Sequence, residues 1–78
     1  MARLKKKAKP AGLRGQGLAK HIFETWEGVS GATGRNVTYT SCRAWKNNNV
    51  PPWHRAAICA AAVAAGWDVI DDDFRGGL

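Results

Sequence analysis

The run Pro51–Ala65, PPWHRAAICAAAVAA, restricts this chain more than any other stretch, because it has one local structure open to it. Alanine is the strongest helix former. Proline suits the first helical position, where its missing N–H has no intrahelical partner to lose. Gly66 stands where a left-handed stop is needed. The spacing predicts a helix whose contact face is Trp53, Ala57, Ala60, Ala61 and Ala64, with Ile58 and Ala65 at its border. A second apolar stripe, Leu18, Ile22, Phe23 and Trp26, predicts a helix over Gly17–Glu27 stopped by Gly28. No segment sustains period-2 alternation or carries a hairpin signal, so the expected fold is all-α, a bundle of four to five short helices. At 78 residues the chain makes one domain and has no room for a deep enclosed pocket.

Between these helices the signals are weaker. Val29–Asn36 carries Gly31 and Gly34, each costing about 1 kcal/mol of helix stability relative to alanine. It reads equally as a short helix capped by Ser30 or as a turn. Thr38–Asn48, TYTSCRAWKNN, reads as a helix capped by Thr38 that frays near residues 47–49, because a run of asparagine is a poor helix former. It has two faces. Cys42 and Trp45 point toward a core. Thr40, Arg43, Ala44 and Asn47, at i, i+3, i+4 and i+7, form a polar face with one arginine and one small residue. Residues 1–16 have little to bury and read as a disordered basic arm. Residues 17–67 then form the domain and 68–78 an acidic tail anchored only by Val69, Ile70 and Phe74.

Charge is sorted along the chain. Residues 1–20 hold seven cations (Arg3, Lys5, Lys6, Lys7, Lys9, Arg14, Lys20) and no acid, whereas Asp68, Asp71, Asp72 and Asp73 against Arg75 leave residues 66–78 at −3. A basic head and middle on a chain of net charge +6 point to a polyanion, foremost nucleic acid. The longest apolar stretch, Ala56–Ala65, is about half a membrane span, and the basic start is followed by no apolar region of signal-peptide length. The expectation is an intracellular, cytoplasmic protein associated with the nucleoid, with no membrane partner.

The residues offer little chemistry. Cys42 and Cys59 are too few for a disulfide scaffold and read as buried small hydrophobes. Cys42, His54, Cys59 and His21 are scattered without metal-ligand spacing, and His21 reads as a surface or boundary residue. Asp71–Asp73 is a carboxylate run on a tail without a pocket. No nucleophile has a base and a third supporting group. No enzyme, metal, cofactor or small-molecule substrate is expected. The four tryptophans, Trp26, Trp45, Trp53 and Trp67, fall at stripe, helix-start or cap positions and read as core.

The stretch Val37–Pro52, VTYTSCRAWKNNNVPP, resembles the recognition half of phage-type helix-turn-helix proteins, the Cro/repressor-like family. The small apolar residue and Ser/Thr cap correspond to Val37 and Thr38. The closing Trp-Lys, polar run, aliphatic residue and proline correspond to Trp45-Lys46, Asn47–Asn49, Val50 and Pro51. The resemblance covers about 30 residues, from Val37 to Gly66, and Leu18–Trp26 more loosely. Where the family has an alanine- and leucine-rich helix before the turn, this chain has the glycine-broken VSGATGRN. The resemblance implies a helix-turn-helix bundle that binds double-stranded DNA as a transcriptional regulator, a repressor of phage or mobile-element type, arranged as a homodimer on a two-fold operator. Arg43 is then the expected base reader through its paired donors to guanine, and Asn47 suits adenine. Tyr39 and Thr40 lie at the helix start where bases are met, although Tyr39, at i−3 from Cys42, also fits edge packing. Ala44 completes the reading face. Arg35, Asn36, Thr38, Ser41, Lys46 and Asn48, with Lys5, Lys6, Lys7 and Lys9 of the arm, suit phosphate oxygens. Two alternatives carry other signatures. An excisionase-like DNA bender also shows Trp-Lys before an aliphatic-Pro, but needs a hairpin wing after the recognition helix. A small inhibitor or adaptor would bind a host protein through the alanine face and acidic tail.

Overall fold

The computed structural model describes residues 7–76. The chain is mostly helical, as expected, with one addition, a two-stranded sheet joining its ends. β1 (Lys7–Ala8) pairs in parallel with β2 (Trp67–Asp68), Lys7 opposite Trp67 and Ala8 opposite Asp68. Two residues per strand are too few to show alternation in the sequence, so an all-α reading had no signal of it.

α1 (Gly15–Phe23) buries Leu18, Ala19 and Ile22. It starts before Gly17 and stops well short of Gly28, so Trp26 and Glu27 belong to the next helix. Glu24, at φ 68°, makes the corner. Thr25 then caps α2 (Trp26–Ala32), its hydroxyl accepting the Gly28 N–H at 3.0 Å. Gly28 is therefore a packing glycine, not a stop. A Cβ there would lie 2.5 Å from the Phe23 carbonyl oxygen. Ser30 does not cap either; its hydroxyl donates to the Val37 carbonyl across the turn that follows. Gly34 and Arg35 make that turn at φ 77° and 64°. Thr33, buried, donates to the Ser30 carbonyl at 2.6 Å.

α3 (Tyr39–Arg43) has five residues, shorter than the Thr38–Asn48 helix expected. Trp45 is extended in ψ, and a 3-10 turn, Lys46–Asn48, follows with Asn47 and Asn48 in the left-handed region. Asparagine tolerates that region better than most residues, which is why the break falls here. α4 (Pro52–Ala64) runs as expected, but with the other face inward. Ile58, Cys59 and Ala62 are buried, while Trp53 is 77% exposed and Ala57, Ala60 and Ala64 face solvent. The larger Ile58 and Cys59 remove more apolar area from water than a row of alanines. Arg55 holds the helix in this rotation, donating to the Val50 carbonyl at 2.8 Å and to Asn49 Oδ1 at 2.7 Å.

The described parts of the arm and tail are built into the fold. Leu13 packs against the core, and Val69 and the fully buried Phe74 belong to it, whereas Ile70 is 64% exposed. Arg14 Nε donates to the Arg75 carbonyl at 2.9 Å, and Val50 N–H donates to the Phe74 carbonyl at 3.1 Å. The boundaries expected at residues 16 and 68 therefore do not separate arm and tail from the core. Of the four tryptophans, Trp26, Trp45 and Trp67 pack on the core as partly buried residues, and Trp53 does not.

Candidate nucleic-acid interface

α3 is too short to persist alone, since an isolated helix of this length cannot recover its nucleation cost. Three contacts hold it. Thr38 accepts the Ser41 N–H at 3.3 Å through its hydroxyl, closing the N-terminus. Gln16, on α1, donates its amide to the Cys42 and Arg43 carbonyls at 2.5 and 3.0 Å, closing the C-terminus. Cys42, fully buried, plugs α3 into the core. Gln16 was missed by sequence reasoning because it lies in the stretch assigned to the arm and carries no apolar period.

The opposite side of α3 is open. Thr40, Arg43 and Ala44 are exposed, and Tyr39 is 48% exposed. Tyr39 borders an open groove of about 480 Å³, lined also by Glu27, Ser30, Gly31, Arg35, Val37 and Thr38. Asn47 does not share this face. Lying beyond the helix end at φ 59°, it is separated from the i, i+3, i+4 row of Thr40, Arg43 and Ala44.

The residues expected on phosphates divide into two groups. Arg35, Thr38, Ser41 and Lys46 are exposed around α3. Asn36, also exposed, donates to the Thr33 carbonyl at 2.9 Å. Asn48 is spent within the fold, accepting the Gly17 N–H at 2.7 Å and donating to the Arg14 carbonyl at 2.8 Å. Lys9 is paired with Asp73, and Lys7 sits over the Trp67 ring at 5.5 Å. Lys5 and Lys6 lie outside the described residues.

The acids of the tail take up cations of the arm. Besides Lys9–Asp73, Arg14 lies 3.8 Å from Asp72, and Arg75 4.0 Å from Asp72. Burial alone would raise the Asp73 carboxyl. The Lys9 hydrogen bond, the Ile70 N–H and the charges of Lys9 and Arg14 outweigh it and hold Asp73 below the usual carboxylate range. Among the described residues, Arg35, Arg43 and Lys46 make no ion pair. Lys7, Lys20 and Arg55 make none either, but Lys7 and Lys20 lie over the Trp67 and Trp26 rings and Arg55 is held by Val50 and Asn49, so the cations with none of these contacts are those around α3. Both thiols are unreactive by environment: burial pushes Cys59 up to about 11, with a further rise from neighbouring Asp71 and Asp73, and burial raises Cys42.

At the far end of α3, Trp45 stacks on His54 with ring centroids 6.1 Å apart, and His54 meets Trp53 edge-on at the same separation. The first contact joins the segment just after α3 to α4, and the second lies within α4. Among the described residues no three His, Cys, Asp or Glu side chains gather as a metal site, and no helix is long and apolar enough to cross a membrane. Comparison with protein-family models, with curated proteins and with solved structures finds no match.

Proposed function

We propose that the chain is a sequence-specific double-stranded DNA-binding protein of repressor type, with α2, the turn at 33–38 and α3 as its helix-turn-helix and α3 as the reader. The observation that carries this reading is the division of α3. Cys42 is sealed inward, while Tyr39, Thr40, Arg43 and Ala44 face outward beside Arg35 and Lys46, cations without ion partners among the described residues. A helix fixed on one side and polar on the other is what the major groove accommodates. Arg43 reads a base, foremost guanine, while Arg35, Thr38, Ser41 and Lys46 contact phosphates.

One short helix reads only a few base pairs, so the working unit is a homodimer on a two-fold site. The exposed face of α4 serves as the dimer contact. Trp53, Ala56, Ala57, Ala60 and Ala64 are exposed there, and the one arginine of this helix is turned to Val50 and Asn49. A wing would have favoured the DNA-bending alternative. Instead the chain leaves α3 through the 3-10 turn and enters α4, and its strand pair is parallel and joins the two ends.

The test is selection of a preferred duplex from a random pool, followed by fluorescence anisotropy against a scrambled duplex. The selected site is expected to bind about 10³-fold tighter, and Arg43→Ala to remove about 1–3 kcal/mol of that preference. Failure to enrich any sequence, with equal affinity for every duplex, would sink the reading.

A further inference from the structure

We propose that Asp72 and Asp73 act as an internal mimic of DNA phosphate, occupying Lys9 and Arg14 until a correctly seated duplex takes their place. The proposal rests on the DNA-binding reading above and names a backbone subsite within it. Lys9, Gly12, Leu13, Arg14, Asp72 and Asp73 line a hollow of about 190 Å³. In it Lys9 pairs with Asp73, and the Arg14 guanidinium lies 3.8 Å from the Asp72 carboxylate while donating to the Asp72 and Arg75 carbonyls at 3.3 and 2.9 Å.

The hollow is tied to the reading helix. The Arg14 carbonyl accepts from Asn48, Asn48 accepts from Gly17, and Gln16 between them holds the Cys42 and Arg43 carbonyls. The backbone at Arg14 is thereby tied to the segment that follows α3, while the Lys9 and Arg14 side chains are already satisfied by carboxylates. The Arg14–Asp72 pair is exposed and the Lys9 ammonium is open to solvent, so these pairs add little to stability and exchanging carboxylate for phosphate is close to balanced. In a loose, non-specific complex the carboxylates keep their cations and repel the backbone. When α3 seats in the groove, phosphates come near enough to compete. Non-specific affinity is held down while specific affinity is retained.

The test uses the full chain on a scrambled duplex, titrated at several salt concentrations, and on heparin as a generic polyanion. Asp72→Asn with Asp73→Asn is expected to steepen the logarithmic salt dependence on both by ~3, near 0.9 on duplex DNA for each of the cations it frees, Lys9, Arg14 and Arg75. Asparagine keeps an oxygen for the Ile70 N–H, and Asp72→Asn alone, which leaves that bond untouched and frees Arg14 and Arg75, is expected to give about two-thirds of the change. The control is Asp68→Asn with Asp71→Asn, which removes the same charge from acids that make no ion pair among the described residues. It is expected to raise affinity by long-range charge alone and to alter the slope much less. Equal slopes for the two double variants overturn the mimic. A chain that selects no duplex but shows the slope difference on heparin loses the regulator reading and the displacement by DNA, and keeps only the shielding of Lys9 and Arg14 by Asp72 and Asp73. A chain that selects a duplex with no slope difference keeps the regulator reading and loses the mimic.

Discussion

Gly15 has no room for a side chain. Its φ is +66°, and a Cβ would stand 1.8 Å from the Asn48 carbonyl oxygen. The reason is the path of the chain: Asn48 is drawn against the start of α1 by its bonds to Gly17 and Arg14. Gly15→Ala must therefore strain the backbone and push away the segment that follows α3. It is expected to lower stability by at least about 1–3 kcal/mol, read from chemical denaturation. A loss of only a few tenths would show that Asn48 is not held there. Gln16 beside it illustrates how a polar residue can support a site without touching a ligand. Its amide satisfies two carbonyls that a five-residue helix would otherwise leave to solvent.

At the scale of elements, the helices legible in the sequence are those whose apolar period runs unbroken. Leu18 and Ile22 are buried on α1 as expected, and α4 begins and ends within a residue or two of its proline and glycine signals. Periodicity does not carry direction when nearly every residue is small and apolar. The inward face of α4 was decided by Ile58, Cys59 and the tethered Arg55, not by the alanine row. It also passes through corners. Trp26 continues the α1 stripe in spacing, yet Glu24 at φ 68° and the Thr25 cap place it on α2. On α3 the outward row Thr40, Arg43 and Ala44 was legible, but Asn47 was placed one turn too far along a helix that ends at Arg43. Because α3 owes its form to its two caps and Cys42, Thr38→Ala is expected to cost about 1 kcal/mol of stability. It should weaken duplex binding by more than the loss of one hydroxyl contact, as α3 frays. Thermal melts and anisotropy on the same preparations check both, and unchanged binding would mean α3 is ordered without its cap.

At the scale of the whole molecule, charge is arranged by contacts between the two ends of the chain. The ends of the chain neutralise one another through Lys9–Asp73 and Arg14–Asp72 beside the parallel strand pair. This pairing of head and tail is non-local and only two residues deep, so no local pattern announced it, although the opposite charges at the two ends were visible in the sequence. Among the described residues, Arg35, Arg43 and Lys46 around α3 are cations without an ion pair, and Trp53, Val63 and a row of alanines are exposed along α4. Self-association through α4 is expected to appear in sedimentation as a mass rising toward two chains with concentration. Ala60→Glu, at an exposed position that leaves the core intact, is expected to keep the chain monomeric. Identical sedimentation of the two proteins, alone and on duplex, would rule the α4 contact out. The central claim is that α3 is the surface that meets DNA, and the most direct measurement is amide NMR of the labelled chain titrated with its selected duplex. The expected result is a cluster of shifted or broadened amides at Tyr39–Ala44, with Arg35 and Lys46, and little change along Trp53–Ala64 beyond that from dimerisation. Shifts confined to α4, or to Lys7–Lys9, with Tyr39–Ala44 unmoved, would contradict it.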